Sequence, residues 1–166
     1  MGWGDRMSFR EELERRLRGN VALVGVGNSM WGDDGAGPAL IGRLEGKTAA
    51  LLVDGGEAPE SYWGTIVAHR PQAVLVVDAL AWGGEPGSVA LLDRVRETGS
   101  PLSTHRVSLN LFLDLLRTET GADVFVLGIQ PKGLRFACAM SPEVQRTVDL
   151  LADCLADIPV GGARCS

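Results

Sequence analysis

A chain of 166 residues suits one domain with a core of its own, and 45% hydrophobic with 22% charged residues is the make-up of an ordinary soluble globular protein. The net charge of −5 offers no support for the clustered basic footprint of a nucleic-acid binder, and every apolar run stops short of a membrane span. The start, MGWGDRMSFREELERRLRGN, is too charged for a secretory signal and lacks the hydroxyl residue of a myristoylation site; with Cys138, Cys154 and Cys165 scattered outside any CxxC pair, reduced thiols in a cytoplasm are expected.

Ser8 and Glu11 have the spacing of a capping box, and Phe9, Leu13 and Leu17 follow on one helical face. An amphipathic helix is therefore expected within residues 1–19, with Glu11–Arg15, Glu12–Arg16 and Glu14–Arg18 as i,i+4 pairs. So short a helix needs a surface to dock on. The main domain is expected over 20–158 and a frayed tail over 159–166. Val21–Val26 is a continuous apolar run, as in a strand covered on both faces. Gly35–Leu44 reads as a helix that tolerates Pro38 only in its first turn. Ala50–Val53 is a second strand, Glu60–His69 a helix, and Ala73–Val77 a third strand. Ser88–Leu92 has the look of a short edge strand, and Ser108–Arg117 of a helix. Val124–Gly128 is another strand, Leu134–Ala137 a possible last one, and Ser141 caps a terminal helix that has Pro142 at its first position. Strands alternating with helices predict an α/β fold, a three-layer sandwich with a mostly parallel, mixed sheet of about five strands.

Acidic residues recur where these strands end. Val21–Val26 runs into GNSMWGDDGAGP with Asp33 and Asp34, Val53 is followed by Asp54 in DGGEAPE, and Val77 is followed by Asp78. In an open parallel sheet the carboxyl ends of the strands share one crevice, where ligands bind. A single Asp at such a place is usually a turn or cap residue. Three converging carboxylates repel one another, and a bound cation or a shared proton relieves that. His105, in STHRVSLN, opens the helix after the Ser88–Leu92 strand; His69, beside Arg70, reads as a solvated helix end. Carboxylates with an imidazole suit a divalent metal of the zinc, nickel or manganese kind, or an acid/base set; spacing leaves both open. Gly25-x-Gly27 lacks the third glycine of a dinucleotide loop. The chain has no GxxxxGK[ST], HExxH or GxSxG motif.

VGVGNSMWGDDGAGP, VDGGEAPE, VLVVDAL, STHRVSLN and VFVLGIQP, in that order over about Val21–Leu155, resemble the nickel–iron hydrogenase maturation proteases, and most of all the subgroup serving formate-hydrogenlyase-type hydrogenases. The resemblance implies an endopeptidase that removes the C-terminal extension of the nickel-loaded hydrogenase large-subunit precursor. It implies Asp34, Asp78 and His105 as a nickel-binding set, with Asp54 as a further catalytic or substrate-recognising acid. Asn28, Gly55 and Gly56, in the same motifs, are candidate substrate contacts. Nickel, possibly only that carried by the precursor, is the expected metal. No organic cofactor, nucleic acid or membrane insertion is expected, and the chain is expected to be monomeric. A nickel chaperone without peptidase activity would use the same ligands, and a nucleotide- or phosphate-binding enzyme would use the strand-end glycines instead.

Overall fold

The computed structural model describes residues 7–96 and 104–161, with side chains in the second span from Leu109 onward. Five strands, β1 (Val21–Val26), β2 (Leu51–Gly56), β3 (Ala73–Ala79), β4 (Val89–Leu92) and β5 (Asp123–Ile129), form one sheet in the order β2-β1-β3-β5-β4. All neighbours pair in parallel except β4, which runs antiparallel to β5 at the edge. The central strands β1, β3 and β5 are nearly all Val, Leu, Ile, Ala and Phe because helices cover both of their faces.

Side chains alternate between those two faces. Leu23, Leu75, Val77, Phe125 and Leu127 point into a core shared with α1 (Phe9–Arg16), α2 (Ala36–Leu44) and α5 (Pro142–Asp157). Ala22, Val24, Val74, Val76 and Val126 point the other way, into a core shared with α3 (Trp63–Ala68) and α4 (Thr104–Thr120). The three-layer α/β sandwich is thus present, with five strands. Because β2 lies on one side of β1 and β3 on the other, the chain reverses its winding between β1 and β3. That reversal opens a crevice at the carboxyl ends of these two strands.

The N-terminal helix is part of the first core. Its capping box is formed: Ser8 Oγ accepts from the Glu11 N–H at 3.2 Å, and Glu11 Oε2 accepts from the Ser8 N–H at 2.8 Å. Leu13 and Leu17 are fully buried. The predicted i,i+4 pairs are replaced by others. Glu12 pairs with Arg15, Glu14 with Arg10, and Arg16 leaves its own helix for Asp123 and Asp93. A bidentate partner in a half-buried place outcompetes an exposed i,i+4 partner.

Several other elements differ from the sequence reading. Leu134–Ala137 is an irregular loop, because Leu134 and Phe136 face solvent and have no neighbouring strand to pair with. The Glu60–His69 helix is a 3-10 turn, Pro59–Tyr62, running into α3. The helix expected over Ser108–Arg117 extends to Thr104 and Thr120. His69 is half-buried with Nε2 3.2 Å from the Val21 carbonyl oxygen, so it is not a solvated helix end. In the tail expected to fray, the Gly161 N–H donates to Gly19 O at 2.7 Å; 162–166, with Cys165, lie outside the described residues.

Candidate active site

The loops after β1, β2, β3 and β5 all emerge at the carboxyl edge, and close backbone packing brings the first three together. A Cβ on Gly37, in the first turn of α2, would lie 2.5 Å from Val77 O and 2.6 Å from Val26 O; one on Gly25 would lie 2.6 Å from Gly37 O. The helix therefore sits directly on the ends of β1 and β3, an approach only glycine permits. Gly27, at φ +134°, has no room for a Cβ either, since the Asp34 carbonyl oxygen would be 1.9 Å away. The segment GNSMWGDDG thus folds back on itself, and Asp34 Oδ2 accepts from the Asn28 N–H at 2.8 Å. The Asn28 carboxamide oxygen in turn accepts from the Met30 N–H at 2.9 Å.

Asp78 does not end its strand. It sits one residue before the end of β3, half-buried, in register with Gly128 of β5. Val77 faces the α2 side, so strand alternation turns Asp78 to the α4 side. Asp54 likewise lies within β2, where Gly25 pairs with Asp54 but Val26 pairs with Gly56. The extra residue, Gly55, makes a β-bulge that bends the strand and re-aims what flanks it. Gly55 is glycine because a Cβ would meet Pro59 and Gly25 O at 3.0 Å. Asp54 is exposed, and its Oδ1 accepts from the Gly56 N–H at 3.3 Å.

His105 lies in the first turn of α4, and its side chain is outside the described residues. The backbone fixes its level. The lower part of α4 is anchored at the amino edge by Arg117 Nη2, which donates to Val124 O at 2.7 Å. Twelve helical residues separate Arg117 from His105, about 18 Å at the α-helical rise; four strand residues separate Val124 from Gly128, about 13 Å. The helix therefore starts at the carboxyl edge, on the face to which Asp78 turns.

Asp33 and Asp34 are adjacent but do different work. Asp33 is 1% exposed. Its Oδ1 accepts from the Ser141 N–H at 2.6 Å, and its Oδ2 accepts from the Lys132 N–H at 2.8 Å, the Gly133 N–H at 3.2 Å and the Ser141 hydroxyl at 2.9 Å. Its role is structural, but not that of a helix cap: the N-cap position of α2 is Gly35, with no side-chain cap hydrogen bond. It clamps the β5–α5 loop onto the β1–α2 loop, a role that no local pattern announces. Gln130 is a second missed residue: its carboxamide oxygen accepts from the Trp82 and Gly84 N–H groups and fixes the β3–β4 loop.

Among the described residues no group of three His, Cys, Asp or Glu side chains is close enough to hold a metal alone. Carboxylates from the turn after β1 and from β3 and an imidazole from α4 nonetheless suit a divalent transition metal in donor chemistry. Among the described residues no helix is long and apolar enough to cross a membrane.

Comparisons with known proteins agree with this architecture. A family model described as hydrogenase maturation protease matches residues 38–158. The hydrogenase 3 maturation protease of Escherichia coli K12 is 37% identical over 131 residues, 76% of this chain and 83% of that protein. The crystal structure of the NiFe hydrogenase maturation protease HycI from Thermococcus kodakarensis superposes with a TM-score of 0.81 at 31% identity, covering 89% of this chain and 97% of that one. The solution structure of the endopeptidase HycI from Escherichia coli gives 0.72 at 32% identity, covering 89% and 99%. With a crevice of strand-end carboxylates on this fold, and relatives that cut peptide bonds, the chain belongs to the hydrogenase maturation proteases and is a peptide-bond hydrolase.

Proposed function

We propose that the protein removes the C-terminal extension of a nickel-loaded hydrogenase large-subunit precursor, with Asp34, Asp78 and His105 reading the nickel that the precursor carries. What supports this is that Asp34, in the turn after β1, and Asp78, near the end of β3, follow the two adjacent strands of the winding reversal, and that α4, whose first turn bears His105, begins at the same carboxyl edge. Two carboxylates and an imidazole form a donor set for a divalent metal presented from outside. Cleavage would then be confined to precursors already loaded.

Hydrolysis needs a base to take the proton from the attacking water and an acid to return one to the leaving amine. Asp54 is the carboxylate of the crevice outside the nickel set, exposed and aimed by the Gly55 bulge. It suits water activation or substrate contact, and the peptidase is then of the aspartyl type. Asn28, Gly55 and Gly56 offer polar backbone and amide groups beside it for an extended peptide.

The test incubates nickel-loaded and nickel-free precursor with the enzyme and follows the tail by mass spectrometry. The loaded form alone should be cut. Asp34→Asn, Asp78→Asn or His105→Ala should slow that cut by about 100-fold or more with unchanged thermal stability. Equal cleavage of both forms would remove the nickel-reading role. A loaded precursor left intact by an enzyme that binds nickel tightly alone would make the protein a chaperone.

A further inference from the structure

Four aromatic side chains among the described residues are exposed, and all four stand on loops at the carboxyl edge: Trp31 after β1, Tyr62 after β2, Trp82 after β3 and Phe136 after β5. Met30 and Leu134 add to them. Exposed apolar residues scattered singly are ordinary, but aromatic side chains gathered on the loops of one sheet edge, two of them in contact, point to an interaction surface.

One part of the rim is built rather than incidental. The Trp31 and Phe136 rings lie 5.1 Å apart, tilted by 57°, a geometry that aromatic pairs prefer. The Asp33 clamp holds their two loops together, and the Ala137 N–H donates to Met30 O at 2.7 Å. Ala137 adopts φ +57°, a left-handed conformation that a residue with a Cβ enters only when its surroundings demand it. A buried carboxylate and a strained residue thus fix a pair of rings that remains 43% and 59% exposed.

The charge around the rim has one dominant sign. Glu57, Glu60 and Glu85 are exposed on the loops after β2 and β3, and none joins an ion pair among the described residues. Asp54 stands beside them. Against these acids are Lys132, paired with Glu143 at 2.7 Å, and Arg135. Trp31 is three residues from Asp34 and Trp82 four from Asp78, so the aromatic rim and the acids share the same loops at the carboxyl edge.

We propose that this rim is the docking surface for the protein substrate, with the Trp31–Phe136 pair seating a large apolar side chain of a segment that also carries Lys or Arg for the surrounding acids. The inference rests on the reading of the protein as a peptidase acting on a protein precursor. It adds the chemistry of the recognised segment and makes Asp33 a positioning residue for the anchor rings. Aromatic anchors that exclude water carry most of the affinity in such interfaces, and acids on the rim steer a basic partner.

The probe is the nickel-loaded large-subunit precursor from the source organism, used with the full-length enzyme, and both dissociation constant and cleavage kinetics are read. Trp31→Ala with Phe136→Ala should raise Kd and KM by about tenfold or more while kcat stays within about twofold. Glu57→Lys with Glu60→Lys should weaken binding and flatten its dependence on salt. Leu111→Ser with Leu115→Ser, exposed apolar residues on α4 away from the rim, should change neither constant. Phe136→Ala alone, at a position 59% exposed on a loop, guards against a folding defect. Unchanged Kd and KM in both rim variants would overturn the proposal, as would a loss confined to kcat. If the wild type binds precursor without cutting it, and the rim variants lose that binding, the peptidase reading fails and the docking surface stands. A wild type that does not bind the precursor overturns it.

Discussion

At the amino edge of the sheet, Asp93, Asp114 and Asp123 lie 2.6–3.0 Å from Arg16, Arg94 or Arg117. Arg16 also stacks its guanidinium 3.8 Å from the centre of the Phe125 ring. At the carboxyl edge the carboxylates are handled otherwise. Asp33 is satisfied by backbone N–H groups and a hydroxyl, Asp34 takes the Asn28 N–H, and Glu57, Glu60 and Glu85 join no ion pair among the described residues. One edge neutralises its acids with arginines from the same chain. The other accumulates them around a crevice rimmed by aromatic rings, an arrangement suited to a cationic or metal-bearing partner.

The contrast can be broken from either side, and the largest effect should come from the clamp. Asp33→Ala leaves three backbone N–H groups and the Ser141 hydroxyl without their acceptor; a loss of about 3 kcal/mol of stability is expected, read by urea denaturation. Precursor binding should weaken as well, because the loop that holds Phe136 is released. A destabilised variant with intact binding would show that the two loops find their places without the clamp. Next in size, Arg16→Ala removes a bidentate ion pair and the stacking on Phe125. It should cost about 2 kcal/mol and leave kcat and KM for the precursor unchanged. A fall in kcat would mean that the two edges are coupled.

The smallest effect concerns pH. The hydrogen bond from Arg16, helped by its charge, holds the Asp123 carboxyl below the usual carboxylate range against the opposing effect of burial. The folded state thus binds that proton more weakly than the unfolded state does. The stabilisation is complete above the ordinary carboxylate pKa, near 4, and is lost as pH falls through the depressed value. Asp123 is partly exposed, so solvent screens the pair and only tenths of a kcal/mol are expected. Melting curves between about pH 5 and pH 3 should show the gap between wild type and Arg16→Ala narrowing towards acid. A gap that does not change with pH would assign the Arg16 effect wholly to packing on Phe125.

Much of the scaffold is legible in the sequence because its signals are local. VALVGV, AVLVV and VFVLG are apolar throughout, as strands covered on both faces must be, and the caps at Ser8 and Ser141 act over three residues. What escaped depends on distance. Asp33 finds partners about a hundred residues away, and before those are known an Asp ahead of a helix looks like a cap. Arg16 turned from its helical neighbours to Asp123 for the same reason. Leu134 and Phe136 flank the charged Arg135 as apolar residues of a strand would, and the pattern misled because their apolar side chains face solvent at the rim. The acids of the crevice were visible as residues that follow apolar runs, although Asp54 and Asp78 lie inside their strands. The Trp31–Phe136 pair was not visible. A tryptophan and a methionine within an otherwise polar loop were its one local sign.

The docked N-terminal helix bears on the order in which the chain assembles. Eight residues are too few to hold a helix alone, and the groups that receive Arg16, Asp123 and Phe125, are made about a hundred residues later. A ribosome therefore releases α1 well before β5 and α5 and leaves it without a seat until they emerge. The contact from Arg16 to Asp123 closes a loop of 107 residues, and contacts of such separation form late in folding. The helix α1 is thus made well before the surface it docks on, and its seat exists only once β5 and α5 are in place.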